Sequence, residues 1–129
     1  MKLIGSLTEK KFRAELTASQ RGLLELHKFP RLLTCLQNHF AHISSALILG
    51  WTPEQLEDLY DVLINGTQVA SLEIAKNGDE IEFSVASAED YAGKLKGRPN
   101  KIQFAVALDL ARSGSSVGTI IENRVQAIH

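Results

Sequence analysis

The chain has 129 residues, 44% of them hydrophobic and 22% charged, with one cysteine and a formal net charge of −1. That is enough chain for one domain with its own core, and the composition excludes disordered and fibrous classes. A lone cysteine excludes an internal disulfide, and no apolar run approaches the roughly 20 residues of a membrane-spanning helix. The opening MKLIGSLTEKKF lacks the apolar stretch of a secretory signal, so the expectation is a single cytoplasmic domain spanning residues 1–129.

The small net charge hides a segregation. Residues 1–50 carry seven Lys/Arg against three acids, 51–92 carry one against ten, and 93–129 carry six against two, giving +4, −9 and +4. Such blocks either neutralise one another inside the fold or present a patch to a partner of opposite sign.

Ser6 and Glu9 have capping-box spacing, which predicts a first short helix with Phe12 and Leu16 on its inner side. Thr17 or Ser19 would cap a second helix ending near Phe29, because the residue before Pro30 is pushed out of helical geometry. Pro30 suits the first turn of a third helix, expected to run to about Leu49 and stop at Gly50. In WTPEQLEDLYDVLING, Thr52, Pro53 and Gln55 read as cap, first-turn proline and capping box. Leu56, Leu59, Tyr60, Leu63 and Ile64 recur at helical intervals, predicting a helix over 53–64 that Asn65-Gly66 ends.

The period then changes from 3.6 to 2. Asn77-Gly78 between two alternating runs predicts a hairpin of 68–76 and 79–86, pairing Ile74 with Ile81, Leu72 with Phe83 and Ala70 with Val85 on a buried face. The opposite face sets Glu73 against Glu82, beside Glu80, a like-charge contact that needs compensation or a partner. Ser87 and Asp90 open a short helix through about Leu95, and KLKGRPNK is a basic turn. Ile102, Phe104, Val106, Leu108 and Leu110 alternate, and since an isolated hairpin is marginal, 101–110 is read as a third strand. A terminal helix follows a serine cap, with Val117, Ile120, Ile121, Arg124 and Ile128 near one stripe. The predicted class is α+β: a helical N-terminal half, a small antiparallel sheet, and a C-terminal helix.

Three constellations invite chemistry. Cys35, His39 and His42 share a helical face, but the rise from 35 to 42 is about 10.5 Å, too far for one ion at zinc bond lengths. The leucines beside them make this a packing face, so neither a metal nor a nucleophilic Cys35/His39 pair is assigned. Glu73, Glu80 and Glu82 lack any catalytic signature. Lys94, Lys96, Arg98 and Lys101 could meet phosphates, yet no P-loop ending or interleaved aromatics accompany them.

No cofactor or catalytic motif is present, which leaves protein binding as the leading reading. Its concrete form is a bacterial immunity or antitoxin protein that neutralises a basic, nuclease-type toxin. Glu54, Glu57, Asp58, Asp61, Glu73, Glu80 and Glu82 would be the contacts, and Trp51 or Tyr60 an anchor if exposed. The alternatives are a nucleic-acid-associated regulator using 94–101 and a small enzyme using Cys35/His39.

Overall fold

The computed structural model describes the backbone of residues 2–128 and the side chains of residues 2–113. Helices α1 (Leu7–Leu24) and α2 (Pro30–His39) precede four strands, β1 (Ala46–Pro53), β2 (Glu57–Ile64), β3 (Gln68–Ala75) and β4 (Ile81–Ser87). Helices α3 (Ala88–Lys94) and α4 (Arg98–Ile128) close the chain. The strands form one antiparallel sheet in the order β1-β2-β3-β4, so the fold is α+β.

The capping box at Ser6 forms as expected, with Glu9 N–H donating to Ser6 Oγ and the Glu9 carboxylate accepting the N–H groups of Ile4, Gly5 and Ser6. The expected break near Ser19 does not occur, and α1 runs unbroken to Leu24. The residues that read as caps serve β1 instead. Ser19 Oγ donates back to Leu16 O at 2.7 Å and accepts Ile48 N–H at 3.0 Å, while Gln20 Oε1 accepts Ala46 N–H at 2.7 Å. Helix α1 therefore lies along the β1 edge and supplies partners for its outward N–H groups.

Pro30 sits in the first turn of α2 as read, but the helix ends at His39 rather than Leu49. Residues 46–49 belong to β1, and a larger correction follows at 53–64, where the expected helix is a strand. Thr52-Pro53 closes β1, a tight turn joined by Glu54 N–H to Glu57 O (2.8 Å) reverses the chain, and β2 begins. The cause is burial on both sides. Tyr60, Val62 and Ile64 face one layer and Leu63 the other, so LYDVLI reads as a nearly continuous apolar run without period 2. Asn65-Gly66, both at positive φ (56° and 70°), makes the β2–β3 turn where the helical spacing places a helix end.

The β3–β4 hairpin has the predicted register, with Ala70↔Val85, Leu72↔Phe83, Ile74↔Ile81 and Glu73↔Glu82. Ser87 caps α3 through Asp90 N–H at 3.0 Å. The third strand predicted over 101–110 is wrong: these residues open α4. Phe104, Ala107 and Ala111 are buried at helical spacing, and the width the sheet needed comes from β1 and β2 instead. Helix α4 is continuous through the expected serine cap; the stripe Val117, Ile120, Ile121, Arg124 and Ile128 lies outside the described side chains.

Helices cover the sheet on both faces. On one, Leu32, Cys35 and Leu36 of α2 and Leu23 of α1 bury Tyr60, Val62, Ile64, Ala70, Leu72 and Ile74. On the other, Leu16 of α1 and Phe104, Ala107 and Ala111 of α4 bury Leu47, Leu63 and Val69, which leaves the far half of that face uncovered. Among the described residues no helix is long and apolar enough to cross a membrane.

Candidate functional site

The uncovered half-face carries the acids. Glu73 stands opposite Glu82, and Glu57 lies one diagonal step away on the same face, because Leu59 is the direct partner of Glu73. No ion pair among the described residues reaches Glu54, Glu57, Glu73 or Glu82. The carboxyl of Glu73 is pushed above its ordinary range, first by Glu57, then by Glu82, which also shares a hydrogen bond with it, with a smaller push from Glu54. This is the uncompensated like-charge contact that the hairpin register implied. An open basin of about 400 Å³ lies over this face, between Thr52, Leu59 and Asp61 on one side and Ser71, Glu73 and Glu82 on the other.

The nine residues proposed as partner contacts do not form one surface. Asp61 shares the acidic face but is occupied, accepting Ser71 Oγ–H at 2.7 Å and Tyr91 O–H at 3.3 Å. Burial and the Asp61 charge push the Tyr91 hydroxyl up to about 12. Asp58 points to the opposite face, beside Lys76 Nζ (3.9 Å) and Trp51 Nε1–H (3.4 Å). Tyr60 is 9% exposed, so it does not meet the condition for an anchor, and burial raises its hydroxyl too. Trp51 is 51% exposed, stacked at 7° on Tyr60 and edge-on to Phe29, on the face opposite Glu73 and Glu82. Glu80 is exposed at the β3–β4 turn, where its carbonyl accepts Ala75 N–H at 3.0 Å. The acidic face reduces to Glu54, Glu57, Glu73 and Glu82, with Glu80 at its border.

Cys35 and His39 meet, with Sγ 3.8 Å from Nδ1, but His42 does not join them. His39 is the last residue of α2 and His42 lies beyond it. Cys35 is 4% exposed and burial raises its thiol, the opposite of what a nucleophile needs. His39 Nδ1 lies 2.8 Å from Cys35 O, and its ring stacks on Phe83 of β4 at 3.8 Å. Among the described residues no group of three His, Cys, Asp or Glu is placed to hold a metal ion. The basic stretch 94–101 is split between the end of α3 and the start of α4, with Leu95 packed inward.

The exposure of the last strand departs from the sequence reading. Ile81 and Val85 were expected to be buried, yet they are 41% and 42% exposed, because α2 stops at His39 and covers only Phe83. A groove of about 440 Å³ runs there between α2 and β4, bordered by Pro30, Cys35, His39, Ile81 and Phe83. Arg31 closes one end by donating to the carbonyls of Ala75 and Gly78. No protein-family model matches the chain, and neither a curated protein nor a solved structure is found similar to it.

Proposed function

We propose that this chain is a protein-binding module whose acidic sheet face takes a basic protein. The observation behind this reading is the row Glu57, Glu73 and Glu82, three carboxylates that repel one another with no cation among the described residues to balance them. A fold maintains such a contact at a cost in stability. A partner's Lys and Arg side chains would offset that cost, and complementary charge also speeds association. The narrower form of the proposal is an immunity or antitoxin protein in the cytoplasm, covering the cationic nucleic-acid cleft of a nuclease-type toxin.

The test starts from a partner captured from native extract, identified by mass spectrometry and purified. Its affinity is then measured for the native chain and for the E57K/E73K/E82K triple variant, across salt concentration and pH. The expected result is a basic partner, binding that weakens steeply with salt, and loss of most affinity in the variant. Because the Glu73 pKa is raised and a cationic partner prefers the ionised form, binding should weaken as pH falls through that value. Unchanged affinity in the variant would refute the proposal, and retention of the native chain on heparin would favour nucleic acid.

A further inference from the structure

The two edges of the sheet are built differently. The β1 edge is guarded over its first half and broken after it: Gln20 and Ser19 occupy the outward N–H groups of Ala46 and Ile48, Gln103 donates to Leu49 O, the register slips between Ile48 and Gly50, and Pro53 ends it. These are the devices by which proteins prevent strand addition. The β4 edge has none of them. Ile81–Ser87 contains no proline or lysine, pairs with β3 without interruption, and has no fifth strand beyond it among the described residues.

Two backbone hydrogen bonds set the phase of that edge. Ala75 N–H donates to Glu80 O and Ala88 N–H to Thr67 O, so residues 80, 82, 84, 86 and 88 turn their backbone groups to β3. Ile81, Phe83 and Val85 therefore direct theirs outward. The side chains of Ile81 and Phe83 border the groove and that of Val85 follows by alternation on the same face, whereas Glu82 borders the basin on the acidic face.

We infer that β4 accepts an extended segment of the basic partner as a fifth strand, alternating apolar residues seated along Ile81, Phe83, Val85 and His39 with Lys or Arg residues facing Glu82 and Glu73. The inference rests on the acidic-face reading for the partner's charge, and on the edge geometry for its backbone form. In such a strand, paired antiparallel to β4, residues opposite Ile81, Phe83 and Val85 are both the apolar ones and the ones whose N–H groups bond the edge.

A defined peptide separates the two premises. Acetyl-KVKVKVK-amide is titrated against the full chain beside two analogues, one N-methylated at every Val and one N-methylated at every Lys. Methylation at Val removes the three N–H groups that face the edge and should weaken binding by about thirtyfold or more, whereas methylation at Lys leaves them in place. Amide exchange should slow at Phe83 and Val85 when the peptide is added. Val85→Pro, which removes one outward N–H without touching the β3 ladder, should reproduce part of the loss with unchanged far-UV dichroism.

Equal binding of both methylated peptides overturns strand addition. If E73K/E82K still abolishes binding in that case, the acidic-face reading stands alone. If E73K/E82K leaves the peptide's affinity unchanged while Val methylation abolishes it, the acidic reading falls instead, and with it the alternating basic segment inferred here. A chain that dimerises unaided, with Phe83 and Val85 amides already protected, overturns the inference in favour of a second copy at the edge.

Discussion

Replacing Val62 by Ala tests the central feature of this fold, a strand buried on both faces where the residue spacing also fits a helix. Val62 is fully buried between Ile48 and Ala70 in the layer capped by Leu32 and Leu36. Truncation removes two methyl carbons, about 1.6 kcal/mol at ~0.8 each. The cavity left under α2 adds about 1 kcal/mol more if the layer does not collapse. The expected loss of about 2–3 kcal/mol is a fall in Tm of roughly 6–12 °C for a chain of this size. Urea denaturation followed by far-UV dichroism and tryptophan fluorescence should show a lower midpoint at unchanged m-value. In the helical alternative Val62 falls outside the stripe Leu56, Leu59, Tyr60, Leu63 and Ile64, and Ala is the better helix former. The change would then cost nothing or stabilise by about 0.5 kcal/mol. A measured loss below about 0.5 kcal/mol would refute the two-sided strand.

Two further outcomes concern local structure. Ser6→Ala should cost about 1 kcal/mol by removing the α1 cap, read as a lower thermal midpoint. For Glu9, burial alone would raise the pKa, but hydrogen bonds from Ser6 Oγ and the N–H groups of Gly5, Ser6 and Ile4 outweigh it and hold the carboxyl at about 2, against an ordinary 4.5. Its contribution is therefore complete above about pH 4.5 and lost as pH falls towards 2, and E9Q should flatten that limb of the stability–pH curve. Gly66→Ala, at φ 70° with an added Cβ 3.1 Å from Ala111 Cβ, should destabilise by about 1–2 kcal/mol, measured by thermal unfolding.

What could be read in the sequence follows from how local each determinant is. The β3–β4 register was legible because Asn77-Gly78 centres the reversal and the pairs follow by counting outward, although the loop spans four residues, 76–79, closed by Ala75 N–H to Glu80 O. Caps at Ser6 and Ser87 were legible for the same reason. Burial on both faces was not. It erased the alternation of β2 and left the apolar spacing of a helix, while alternation in 102–110 came from a helix whose Ala and Phe residues meet the core at other intervals. The same Asn-Gly dipeptide occurs at 65–66, where the helical reading assigned it to a helix end. The acidic site was half legible: Glu73 and Glu82 followed from the hairpin, whereas Asp58 and Asp61 were grouped by a helix surface that the strand splits between opposite faces. The open β4 edge depends on where α2 stops and on which strand is last in the sheet, and neither is a local property.

Closing one sheet edge with Ser19 and Gln20 bears on the stoichiometry of the proposed strand addition. A sheet that could grow from both sides would propagate head to tail into filaments, since each added chain would present a fresh edge. Here an added strand uses the single available ladder and offers no equivalent site on the far side. On the strand-addition proposal, association through this sheet would stop after one step, as a one-to-one complex.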